Sequence, residues 1–129
     1  MKNRSNTACH AERGLPAADS LYNLAPDQGH LQHMPSHIHM WVGLYKEAVH
    51  CNIEGVRADD KYVSLTGKAD NFYIYYRLHN VHFIVWAAMF LPSEAIATEY
   101  AARLEAEVNR YITEENAPYL ETFGPMVWL

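Results

Sequence analysis

The chain has 129 residues, half of them apolar or aromatic, and a formal net charge of −5 at pH 7. This length suits one domain with a buried core, and the composition excludes a disordered chain. The ten basic residues are spread along the sequence. We therefore predict no nucleic-acid partner and no anionic membrane surface as a partner, since either would need a basic patch.

The cysteines and apolar runs predict a soluble, intracellular chain, which we assign to the cytoplasm. Cys9 and Cys51 are the only cysteines and form no CxxC pair, and Cys51 is expected to act as a small buried hydrophobe. The amino-terminal segment MKNRSNTACHAERG lacks the apolar stretch of a signal peptide. The longest apolar run, residues 83–92, is too short to span a bilayer.

Apolar residues recur at helical spacing, and turn residues separate the runs. Pro35 is expected to fit the first turn of a helix, where N–H groups have no partner inside the helix. The tyrosine-rich stretch 72–76 has strand propensity, but a lone strand has nothing to pair with, so we predict a packed loop or the start of a helix. The predicted helices cover residues 16–24, 31–42, 44–57, 79–90, 92–112 (the longest) and 119–129, with irregular structure over 58–76.

The order of elements around residues 43–48 resembles a tetratricopeptide repeat. It consists of one helix, a Gly-x-Tyr turn and a second helix with alanine near its start. Gly43, Tyr45 and Ala48 carry this resemblance. A weaker second copy would place Ala95 at the position of Ala48. That spacing exceeds the usual period of about 34 residues, which predicts an insertion around residues 60–75.

The segments GHLQHMPSHI, VGLYKEAV and LHNVHF are similar to bacterial-type tetratricopeptide-repeat proteins of uncharacterised function. The resemblance implies an all-α fold of antiparallel helix pairs, stacked as a short right-handed α-solenoid over residues 14–129. Residues 1–13 would be a flexible or incomplete amino terminus, and the domain would be a piece of a longer array. The apolar residues 127–129 leave no polar cap, so self-association through exposed solenoid ends is expected. The resemblance implies no reaction, and our leading hypothesis is that the chain is not an enzyme.

The leading hypothesis is a module that binds a protein or peptide partner. In tetratricopeptide arrays the first helix of each pair lines a concave groove, whose polar side chains would here bond to carbonyls or carboxylates of the partner. Alignment on Ala48 and Ala95 places five residues on the groove face: His30, His33, His37, Arg77 and Asn80.

The alternative hypothesis is a metal-binding protein or metal-dependent enzyme. His30, His33 and His37 follow one another at steps of three and four, which brings them to one face of a helix. Neutral imidazole binds zinc, copper or iron, and a third ligand would come from the neighbouring helix. No HExxH pair supports this, and the same histidines also suit packing between helices. The candidate metal ligands are His33, His37, His79 and His82.

Overall fold

Six α-helices follow one another through the part of the chain that the structure describes, with no strand among them. The computed structural model describes residues 10–67, 73–92 and 94–113. No helix in these ranges is long and apolar enough to cross a membrane. The all-α class is confirmed. After a 3₁₀ turn at Ala11–Gly14, the helices are α1 (Leu15–Leu21), α2 (Gly29–His33), α3 (Pro35–Val42), α4 (Tyr45–Thr66), α5 (Ile74–Ala88) and α6 (Ala95–Tyr111).

The helices α4, α5 and α6 pack side by side with alternating direction. Tyr45 at the start of α4 stacks on Phe90 just after α5, with ring centroids 4.6 Å apart. Asp60, near the end of α4, pairs with Arg77 near the start of α5 at 2.7 Å. Arg77 also pairs with Glu107 near the end of α6 at 2.8 Å. Each neighbouring pair is therefore antiparallel.

An apolar core fills the space between these three helices. Residues of α6, among them Ile96 and Leu104, pack against it while remaining partly exposed. Burying a valine or isoleucine side chain contributes about 1.5–3 kcal/mol, so this core holds α5 between its two neighbours. Its fully buried members are Ala48, Val49, Val56, Val81, Ile84, Ala87 and Ala88.

Pro35 divides the histidine-rich segment into two helices, whereas the sequence predicts one helix over residues 31–42. α2 starts at Gly29, Met34 forms a turn, and Pro35 is the first residue of α3. Proline has no N–H to donate, and its ring meets the carbonyl of the residue four positions earlier, so the helical ladder is interrupted there. The predicted continuous helix is wrong, although proline does suit the first position of α3.

α4 continues to Thr66, beyond its predicted end at residue 57, so much of the predicted irregular region is helical. Asp59 and Asp60 indicate a loop by propensity, but both carboxylates bond to side chains of α5, and those contacts favour the helix. Gly67, with φ of +67°, ends the helix. With 22 residues α4 is the longest described helix, ahead of α6 with 17.

The other boundaries differ by a few residues. α1 ends at Leu21 rather than residue 24, and α5 starts at Ile74 rather than residue 79. The tyrosine-rich stretch thus leads into a helix, one of the two predicted outcomes. The helical segment predicted over 119–129 lies outside the described residues.

Candidate metal centre

Three histidines from three helices meet in the interior. His33 ends α2 and is fully buried, His37 lies in the first turn of α3 and is partly buried, and His79 lies in α5 and is 6% exposed. Each offers a ring nitrogen, and the three nitrogens all lie within 4.8 Å of one another. The Nε2 atoms of His33 and His37 are 2.8 Å apart.

The break between α2 and α3 leaves this group intact. His33 and His37 are four residues apart, a spacing that puts two side chains on the same side of a helix, and their ring centroids are 4.6 Å apart. The ring of His79 faces both, at 4.5 Å from His33 and 5.8 Å from His37. The group therefore joins the histidine-rich segment to the long helix α5.

Two glycines let α2 approach α4 closely enough to seat His33. A methyl group on Gly29 would lie 2.8 Å from the carbonyl oxygen of Gly55, and a methyl group on Gly55 would lie 2.8 Å from the carbonyl oxygen of Gly29. Any larger residue would push the helices apart. At this separation His33 Nδ1 lies 2.6 Å from Asn52 Oδ1 on α4.

Phe83 forms an apolar wall against the three imidazoles. It lies one turn after His79 on α5 and is 2% exposed. Its ring centroid is 4.8 Å from that of His33, 4.7 Å from His37 and 4.9 Å from His79, with the rings steeply inclined. This ring reduces the contact of the group with water on one side.

Burial keeps the imidazoles of His33 and His37 neutral near pH 7 by lowering their pKa. It lowers the pKa of His33 well below the ordinary value, and the neighbouring His79 lowers it further. Burial also lowers the pKa of His37, with a smaller contribution from His30. A neutral imidazole carries the lone pair that a metal ion needs.

Two of the predicted histidines lie outside this group. His30 stacks on His33 at 5.4 Å between centroids and meets Tyr76 edge-on at 4.6 Å, so it borders the site. His82 is not among the three residues whose nitrogens converge, because α5 turns His79 and Phe83 toward α2 and α3. The structure thus brings together three of the four predicted metal ligands.

Arg77 and Asn80, the other predicted groove residues, are engaged inside the fold. Arg77 is 6% exposed and donates to Glu107 at 2.8 and 3.0 Å and to Asp60 at 2.7 Å. Asn80 is fully buried and donates to Asp59 at 2.8 Å. These donors already bond to carboxylates of the same fold, of which Asp59 and Glu107 are buried and Asp60 is partly exposed. The binding groove stays a prediction.

Sequence reasoning missed Asn52 and Phe83 as parts of the site. Asn52 follows Ala48 by one turn on the buried face of α4, so a polar residue within an apolar stripe was the signal available. Phe83 has the i, i+4 relation to His79 but no feature that separates it from an ordinary core residue.

Comparison of the chain with protein-family models, with characterised proteins and with solved structures gives no match. The tetratricopeptide relationship therefore remains a resemblance in the residues around Gly43, Tyr45 and Ala48.

Proposed function

We propose that this chain is a metal-binding protein in which His33, His37 and His79 hold one divalent transition-metal ion. The convergence of three imidazole nitrogens within 4.8 Å carries this proposal. An all-nitrogen set favours zinc, copper or iron over magnesium and calcium, which prefer oxygen ligands.

The distances suit one ion after small side-chain movements. A zinc–nitrogen bond is about 2.0–2.1 Å long, so two imidazole nitrogens on a tetrahedral ion lie roughly 3.4 Å apart. The His33–His37 pair is slightly closer than this, at 2.8 Å, and the widest pair of the group is within 4.8 Å. Shifts of about 1 Å bring the rings into place without moving the helices.

Three neutral ligands leave both charges of the ion uncompensated. No carboxylate belongs to the group within the described residues. A dication held beside an apolar wall favours an anion or a readily ionised water in its fourth position, and zinc in such sites lowers the pKa of bound water to about 7. The centre would therefore bind hydroxide or a small anion in its fourth position.

Calorimetric titration tests the metal site directly. Protein stripped with a chelator should bind one zinc or copper ion per chain at pH 7.5 with a dissociation constant below micromolar. His37→Gln and His79→Ala should each weaken binding at least tenfold, because a three-ligand site loses one of its bonds. His50→Ala is the matched control, since this imidazole bonds to Tyr22 and lies outside the group.

Circular dichroism of each variant separates lost ligands from lost folding. His82→Ala decides between the predicted four-residue set and the observed three, and the structure predicts an affinity close to that of the wild type. No binding tighter than micromolar, or equal affinity in His37→Gln and the wild type, would overturn the metal proposal.

We further propose that α3–α4 and α5–α6 are two repeats of a short right-handed solenoid that binds a peptide or protein. Large exposed apolar side chains near the turns of both pairs favour the binding of a partner: Trp41 is 75% exposed, Met89 71% and Phe90 53%. Peptides selected from a displayed library should bind Trp41→Ser/Phe90→Ser at least tenfold more weakly and His37→Gln equally well. Recovery of no peptide, or equal binding to the double variant, would count against this function.

A further inference from the structure

We propose that Asn52 fixes the tautomer of His33, so that His33 presents Nε2, and not Nδ1, to the metal ion. Asn52 is thus a positioning residue that acts through the ligand. The role of Asn52 in metal binding rests on the proposed metal centre. The tautomer of His33 is a property of the metal-free chain and is measured separately.

The orientation of the Asn52 amide follows from its second contact. One amide atom lies 2.7 Å from the carbonyl oxygen of Ala48, and the other lies 2.6 Å from His33 Nδ1. A carbonyl oxygen only accepts hydrogen bonds, so the amide nitrogen must face Ala48. The amide oxygen therefore faces His33.

The tautomer of His33 follows in turn. An amide oxygen also only accepts, so His33 Nδ1 must carry a proton and donate it. In a neutral imidazole the other nitrogen then holds the lone pair, which is the form of the ring that can bind a metal ion. Ser36 Oγ, at 3.4 Å from the same Nδ1, is too distant to compete with a contact of 2.6 Å.

His37 must then have the opposite tautomer before metal binds. Its Nε2 lies 2.8 Å from His33 Nε2, and two lone pairs would repel at that distance. Since His33 Nε2 accepts, His37 Nε2 must donate its proton. A metal ion needs the lone pair on both Nε2 atoms, so loading moves the proton of His37 from Nε2 to Nδ1 through solvent, while both rings stay neutral.

Nitrogen-15 spectra of the histidine rings test this assignment. In the metal-free chain at pH 7.5, His33 should show a protonated Nδ1 and an unprotonated Nε2, and His37 the reverse. Zinc should leave the tautomer of His33 unchanged and invert that of His37. A metal-free His33 with its proton on Nε2 would overturn the proposal whether or not zinc binds.

Three variants give the matched series. Asn52→Leu keeps the volume but removes the acceptor, so His33 should lose its single tautomer and zinc affinity should fall about 10–100-fold. Asn52→Asp restores an acceptor for His33 Nδ1 and should restore the tautomer, although its second oxygen would repel the carbonyl oxygen of Ala48 and lower the stability. Ser36→Ala should change neither.

The outcomes separate this inference from the metal centre. The expected tautomers in a chain that binds no zinc would support the role of Asn52 in fixing His33 and overturn the metal centre. An unchanged tautomer and unchanged affinity in Asn52→Leu would overturn the role of Asn52. If Asn52→Leu does not fold, the wild-type spectrum, Asn52→Asp and Ser36→Ala still decide the question.

Discussion

Substitution of Gly29 by alanine should destabilise the protein, although alanine is the better helix former. A methyl group on Gly29 would lie 1.9 Å from Asp59 Oδ1 and 2.8 Å from the carbonyl oxygen of Gly55. The first contact is to a fully buried carboxyl group that accepts hydrogen bonds from Tyr73 and Asn80. The second is to helix backbone, which cannot swing aside.

The size of the effect follows from these contacts. Ordinary contact begins near 3.4 Å, so the carboxylate oxygen would have to withdraw by about 1.5 Å. Overpacking of this kind costs about 1–3 kcal/mol, and weakening the two hydrogen bonds of Asp59 adds about 1 kcal/mol each. Helix propensity returns at most about 1 kcal/mol. We expect a net loss of about 3 kcal/mol, or roughly 10 °C in Tm for a domain of this size.

Urea unfolding of three alanine variants distinguishes the mechanisms. At Gly14 a methyl group meets only the side chain of Ile38, at 2.9 Å, and this side chain can rotate, so the loss should stay below about 1 kcal/mol. At Gly43 nothing lies within 4 Å, so only the strain of φ at +79° remains, about 1–2 kcal/mol. Gly29→Ala as stable as the wild type, or Gly14→Ala equally damaged, would refute the close approach of α2 to α4.

Arg77→Met should cost about 1.5–3 kcal/mol in urea unfolding, because the buried carboxylate of Glu107 loses two charged hydrogen bonds and keeps only Arg103 as its cation. Arg57→Met, at an exposed ion pair, should cost less than about 1 kcal/mol. The metal-free protein should lose stability as pH falls from 7.5 to 5.5, measured as Tm. Its buried histidines have a lowered pKa when folded and about 6.5 when unfolded, so the unfolded chain binds more protons in that range. Asp59 opposes this trend in part, because burial raises its pKa to about 6, so the folded carboxyl group binds a proton at a higher pH than the unfolded one. A Tm that rises as the pH falls to 5.5 would show that the histidines do not dominate. In a Cys9→Ser background, Cys51 should react with a thiol reagent more than tenfold more slowly in the folded than in the unfolded chain, since burial raises its pKa to about 11.

The helical fold was predictable because its signals are local. Apolar spacing and Gly43 located the pair α3–α4, and those features depend only on neighbouring residues. The end of α4 was not predictable, because Asp59 and Asp60 favour turns by themselves. Their partners lie on α5 and α6, and only the packed structure shows that these carboxylates stabilise the helix.

The candidate site was predictable in its residue type and only partly in its members. A spacing of four residues identified His33 and His37 as a pair, but the choice between His79 and His82 depends on the rotation of α5 about its axis. The apolar pattern does not determine that rotation, since both sides of α5 are buried. Asn52 was not predicted as part of the site, because a single sequence does not show which side chain a buried amide will contact.

The placement of polar residues separates two parts of the interior with different roles. The main apolar core between α4, α5 and α6 contains only valine, isoleucine and alanine at its buried positions, although Arg77 and Glu107 form a buried ion pair between α5 and α6. Between α2, α4 and α5 the equally buried positions hold His33, Asn52, Asn80 and Asp59. Burying such groups costs free energy that each hydrogen bond only partly offsets, and apolar residues of the same volume are often neutral or stabilising there. The hydrogen bonds of Asp59 stabilise α4, but they give no reason for the buried pair His33–Asn52, and the proposed metal centre would supply one.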